Sequence, residues 1–99
     1  MSDIRAGVLL SLQRSLLGMI SENIRAITCE WGADIITIIF VFDGDYSPSD
    51  EEDCEVIVTE VAADFPEHTV ETQLVSLKAP LSLADEILTA WVYVRREMH

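Results

Sequence analysis

The chain has 99 residues, 49% of them apolar, and a net charge of −12 from 18 acidic and 6 basic side chains. That length fits one domain spanning 1–99, with enough apolar content to fold without metal or disulfide staples. The charge argues against nucleic-acid phosphates and anionic membranes as partners, and favours a basic protein surface.

Ile4, Val8, Leu9, Leu12, Leu16 and Ile20 recur at helical spacing and predict a first helix over residues 3–22, with Ser2 or Asp3 as its cap. Leu10 and Leu17 widen the apolar stripe and imply burial on more than one side, while Gly18 marks either a bend or an early end. Arg25 to Trp31 alternates as a strand, Gly32-Ala33-Asp34 makes a tight turn, and Ile35 to Phe42 is the strongest strand in the chain. Together they predict a hairpin. Its second strand is apolar on both faces, with Ile36, Ile38, Phe40 and Phe42 on one and Ile35, Ile39 and Val41 on the other. One face is expected to meet the helices; the other needs a different element, a second copy or a partner.

Asp43-Gly44-Asp45-Tyr46 forms the next turn. Ser47 suits an N-cap, Pro48 the first helical position and Asp50 the acid of a capping box. Cys54, Ile57, Val58, Val61, Ala62 and Phe65 give the second helix one apolar stripe, and Pro66 stops it. Thr69 to Leu77 reads as a third strand, with Val70 and Leu74 facing one way and Val75 and Leu77 the other. Residues 82–95 fit two states. Ser82 and Asp85 suit a helix start, whereas the alternation from Leu88 to Arg95 favours a fourth strand. The order α-β-β-α-β-β predicts an α+β fold, an antiparallel-rich four-stranded sheet with two helices on one face.

The residues offer little to catalysis. His68 follows a helix-ending proline and His99 is the last residue, and neither has a relay partner in sequence. The stretch from Asp43 has the look of a calcium loop but places Pro48 and Cys54 where that loop needs glycine and glutamate. The four glycines are scattered singly, so no phosphate loop is formed. No catalytic, cofactor-binding or metal-binding residue is assigned, and the chain reads as a binding protein rather than an enzyme. Cys29 and Cys54 read as small buried hydrophobes in a reducing cytoplasm. No stretch reaches the ~20 apolar residues of a membrane span, and the N-terminus lacks the features of a signal peptide.

Charge is distributed unevenly. Between Arg25 and Lys78 there is no Lys or Arg but thirteen Asp and Glu, seven of them from Asp43 to Glu55. The helix dipole accounts for Asp50, Glu51 and Glu52, but not for Asp43, Asp45, Glu60, Asp64, Glu67 or Glu71. A dense carboxylate field steers association with a basic partner. The expected partner-binding residues are therefore Asp43, Asp45, Tyr46, Asp50, Glu51, Glu52, Asp53 and Glu55. Trp31 and Trp91 are expected in the core; either one exposed on the sheet would serve as a binding anchor.

Three stretches carry a family likeness: residues 11–18 running into 23–27, the hairpin end Phe40-Val41-Phe42-Asp43-Gly44, and residues 59–67. Together they resemble small acidic bacterial immunity proteins of polymorphic toxin and contact-dependent growth inhibition systems. The resemblance covers residues 4 to 77; Leu81 to Ala90 has no counterpart, although residues 92–97 look like the closing strand and basic end. It implies a protein that binds and neutralises a cognate toxin by blocking its active or substrate-binding surface. Many such toxins are nucleases with basic clefts, which agrees with the charge. No motif of the family fixes toxin-contacting residues, so none is carried over. The alternative is a homodimeric structural or regulatory subunit without a toxin partner, in which the doubly apolar hairpin pairs with a second copy.

Overall fold

The computed structural model describes residues 4–79, 83 and 90–96. The elements run α1 (Arg5–Ser15), β1 (Ile24–Trp31), β2 (Ile35–Phe42), α2 (Pro48–Asp64), β3 (Thr69–Ser76) and β4 (Ala90–Val94). This is an α+β fold in the order the sequence predicts. Ser2 and Asp3, the Ser82 and Asp85 of the alternative helix start, and the first two residues of the expected fourth strand lie outside the described residues.

The four strands form one mixed sheet in the order β3-β2-β1-β4. β1 pairs antiparallel with both β2 and β4, while β2 and β3 are parallel. The parallel pair follows from α2, whose 17 residues carry the chain back along the sheet so that β3 starts beside the start of β2. The Thr69 N–H donates to the Asp34 carbonyl at 2.8 Å and fixes that register.

Both helices cover one face. Val8 and Leu12 of α1 and Cys54, Ile57 and Val61 of α2 pack on Ile27, Cys29, Ile36, Ile38, Phe40 and Phe42. Burying a large apolar side chain of this kind contributes about 1.5–3 kcal/mol, so the β2 stripe is the energetic centre of the fold. The opposite face of β2 is closed by the chain itself at one end. Ala26, Ile39 and Val41 form a second cluster with Val75, Leu77 and Leu83. Toward the start of the strand that face opens, and Ile35 is 43% exposed.

Four details depart from the sequence reading. α1 ends at Ser15 rather than at residue 22. The Met19 N–H closes a turn on the Leu16 carbonyl, and Gly18 adopts φ +75°, a left-handed conformation that glycine enters without strain. Leu10, on the outer side of α1, and Leu17, in the turn that follows it, are both exposed, Leu17 by 78%. The alternation expected in the last strand is broken. Ala90 pairs with Cys29 and Trp91 with Thr28, yet Tyr93 pairs with Ile27, so an extra residue bulges between Trp91 and Tyr93. Finally, only Trp31 packs against the core; Trp91 lies on the face opposite the helices and is 40% exposed.

Candidate protein-binding site

α2 begins as its sequence dictates. The Ser47 side chain accepts from the Asp50 N–H at 3.1 Å, the Asp50 carboxylate accepts from the Ser47 N–H at 2.8 Å, and Pro48 occupies the first turn. The Asn23 side-chain amide also donates to Asp50, at 3.1 Å. These bonds, the Ser47 N–H first among them, hold the Asp50 carboxyl below the ordinary carboxylate range. Gly44, at φ +83°, shapes the turn leading into the helix.

Asp43 is also engaged within the chain. One carboxylate oxygen accepts the Ala79 N–H at 2.9 Å and the other accepts from Arg95 at 2.9 Å. The Ala79 N–H and then the Arg95 guanidinium lower its pKa. Arg25 adds a further favourable charge and is itself only 2% exposed, donating to the Leu77 carbonyl at 2.8 Å. Arg25 sits at an irregularity of β1, where the pairing shifts between Ile24 and Ala26. From the sequence Arg25 reads as an ordinary strand residue; a cation flanked by Ile24, Ala26 and Ile27 is the signal that marks it.

The remaining expected residues divide by helix geometry. At 100° per residue, Glu51 and Glu55 stand on the flank of α2 nearest β3, Glu52 points away from the sheet, and Asp53 faces toward α1. The acids therefore wrap the exposed arc of the helix rather than form a single flat face. Glu51 and Glu55 join Tyr46, Cys54, Thr72 and Leu74 around an open groove of about 300 Å³ between α2 and β3. Tyr46 forms one wall, its ring tilted against Phe42 at 5.1 Å between centroids. Among the described residues, the side-chain carboxylates of Asp45, Glu51, Glu52, Asp53 and Glu55 have no hydrogen-bonding or ion-pairing partner.

Four of the six basic side chains, Arg5, Arg14, Arg25 and Arg95, are engaged elsewhere. Arg14 pairs with Asp64 at 2.8 Å, and Asp64 also accepts from Ser11 at 2.6 Å. Arg95 pairs with Asp43, and Arg5 lies over the Trp31 ring at 5.8 Å. The carboxylates of the first turns of α2 are thus left uncompensated. Cys29 and Cys54 are buried free thiols, pushed up by desolvation to about 11 and about 12. His68 is half-buried and meets the edge of Phe65, 5.8 Å between ring centroids. Among the described residues no group of three or more His, Cys, Asp or Glu side chains could hold a metal ion, and no helix is long and apolar enough to cross a membrane.

The structure defines a small α+β domain with an acidic helix and an open groove beside it. The chain belongs to the MafI2 immunity protein family, whose model matches residues 5–97. It is therefore a bacterial immunity protein of a toxin system. The match extends past β3 through β4, including the stretch where the sequence resemblance found no counterpart. No curated protein matches the chain.

Proposed function

We propose that this immunity protein neutralises a basic cognate toxin, a nuclease in the reading the charge favours, by covering its active or substrate-binding surface. It works by binding, without chemistry of its own, in the cytoplasm of the cell that makes it. The observation that carries this reading is the set of unpaired carboxylates at Asp45, Glu51, Glu52, Asp53 and Glu55, on a molecule whose Arg5, Arg14, Arg25 and Arg95 are all engaged internally. An acidic surface of this kind competes with a phosphate backbone for the same cationic cleft. Asp43 and Asp50 hold that surface in shape, and Tyr46 supplies an aromatic wall beside it.

The test is association of the chain with its cognate toxin domain, followed at several salt concentrations. Replacing Glu51, Glu52 and Glu55 together by lysine should slow association about tenfold or more and flatten its salt dependence. Unchanged association would mean that the acidic arc of α2 takes no part in recognition.

A further inference from the structure

The two edges of the sheet differ in how they are protected. β4, at one edge, has five residues, carries the bulge between Trp91 and Tyr93, and is followed directly by Arg95 and Arg96. Short length, a bulge and nearby charge all discourage pairing with a further strand. β3, at the other edge, has eight residues and pairs with β2 without a register shift from Ile35/Thr69 to Phe42/Ser76. It contains no proline, lysine or bulge.

The backbone of β3 can be assigned residue by residue. In a parallel pair, alternate residues direct both N–H and C=O to the same neighbour. The Thr69 N–H bonds to the Asp34 carbonyl and the Leu77 N–H to the Phe42 carbonyl, at 2.8 and 2.9 Å. Residues 69, 71, 73, 75 and 77 therefore face β2. Val70, Thr72, Leu74 and Ser76 direct their N–H and C=O groups away from the sheet, and among the described residues nothing bonds to those groups. The side chains of Val70 and Leu74 lie on the helix side, where the groove lined by Tyr46, Glu51, Glu55 and Thr72 runs along the same edge. Glu71 lies on the other side, paired across from Thr37.

The geometry points to β3 as the docking edge for an extended basic segment of the toxin, which adds to the sheet as a fifth strand. This inference rests on the toxin-neutralising reading and specifies how the complex is built. Main-chain bonds to Val70, Thr72, Leu74 and Ser76 supply the pairing. Alternate side chains of the incoming strand enter the groove, where a lysine or arginine lays its aliphatic stem against Leu74 and Tyr46 and its charge between Glu51 and Glu55. Side chains between them pass Glu71. Carboxylates on both sides of one edge select a cationic strand over a second copy of this acidic chain, whose own edge would bring like charges together.

Two measurements on the full chain with the same toxin domain test the proposal. In hydrogen exchange, the amides of Val70, Thr72, Leu74 and Ser76 should gain protection of at least about tenfold on binding, beyond any change at residues 71, 73 and 75. Thr72→Pro removes one outward N–H without touching the pairing with β2, a place where an edge strand tolerates proline. It should weaken toxin binding about tenfold to a hundredfold. If toxin binds tightly while the four outward amides stay unprotected, strand addition is overturned and neutralisation through the α2 surface stands. If protection appears in the chain alone with rising concentration, the edge serves a second copy and the proposal fails. If the toxin domain does not bind at all, the neutralising reading falls and this inference falls with it. The exchange measurement decides the matter even if Thr72→Pro fails to fold.

Discussion

The Arg95 guanidinium donates to the Asp43 carboxylate at 2.9 Å and to the Glu22 carbonyl at the same distance. Because Asp43 also takes the Ala79 N–H, three segments distant in sequence meet at the turn that launches α2. The end of β4, the chain leaving β3 and the turn after β2 are fastened at one carboxylate. A residue that looks from sequence like part of an acidic binding cluster is in the fold a fastening point for it.

That arrangement gives the protein an acid-sensitive component of stability. Asp43 and Asp50 have folded pKa values below their unfolded ones, so their contribution is complete above the unfolded carboxylate value near 3.9 and is lost as pH falls through the lower folded values. Thermal melts from pH 7 to pH 2 should show Tm dropping below about pH 4. Asp43→Asn should lower the neutral Tm and make that acid drop shallower. An identical acid profile in wild type and variant would refute the assignment.

The capping box at the start of α2 can be weighed separately. Ser47→Ala removes the side-chain acceptor for the Asp50 N–H and should cost about 1 kcal/mol, or about 4–8 °C in Tm for a domain of this size. Because the cap orients the first turn that bears Glu51 and Glu52, toxin association should slow slightly as well. Chemical denaturation gives the first number and stopped-flow mixing the second.

Ile57 is wholly buried where α2 meets the sheet. Ile57→Ala should destabilise the protein by about 2–5 kcal/mol through lost transfer energy and the cavity left behind. Glu52→Lys, on the exposed outer line of the same helix, should change stability by no more than about 0.5 kcal/mol while slowing toxin association. The pair separates folding from recognition on one element, read by urea titration and by binding kinetics.

The two thiols report on the integrity of the core. Burial raises Cys29 to about 11 and Cys54 to about 12, so at pH 8 almost no thiolate forms in the folded state. Alkylation of native protein at pH 8 should be slow and should follow the unfolding equilibrium as urea is added. Rapid modification of either cysteine in the native protein would contradict its placement against the helix-side core.

Much of this was legible without coordinates. The β-branched run from Ile35 to Phe42, the Ser47-Pro48-Asp50 helix start and the stripe from Cys54 to Val61 each carry a local signal strong enough to fix type and place, because caps and side-chain periodicity act over a few residues. The early end of α1 was half legible, since Gly18 reads as a bend or a stop and the turn there is closed by local bonds, whereas the shift of register in β4 was not, because the bulge beside Trp91 is defined only by its pairing with β1.

The candidate site divides in the same way. Sequence by itself determined that α2 would open with a crowd of carboxylates and no basic residue nearby, because composition is a local fact. Only the tertiary structure decided that Asp43 and Asp50 would be consumed by Arg95, Ala79, Ser47 and Asn23, that Glu51 and Glu55 would edge a groove, and that β3 would be left as an open rim. The physical reason is that a charge is free or paired, and a strand central or peripheral, only once distant segments have been brought within a few ångströms of one another.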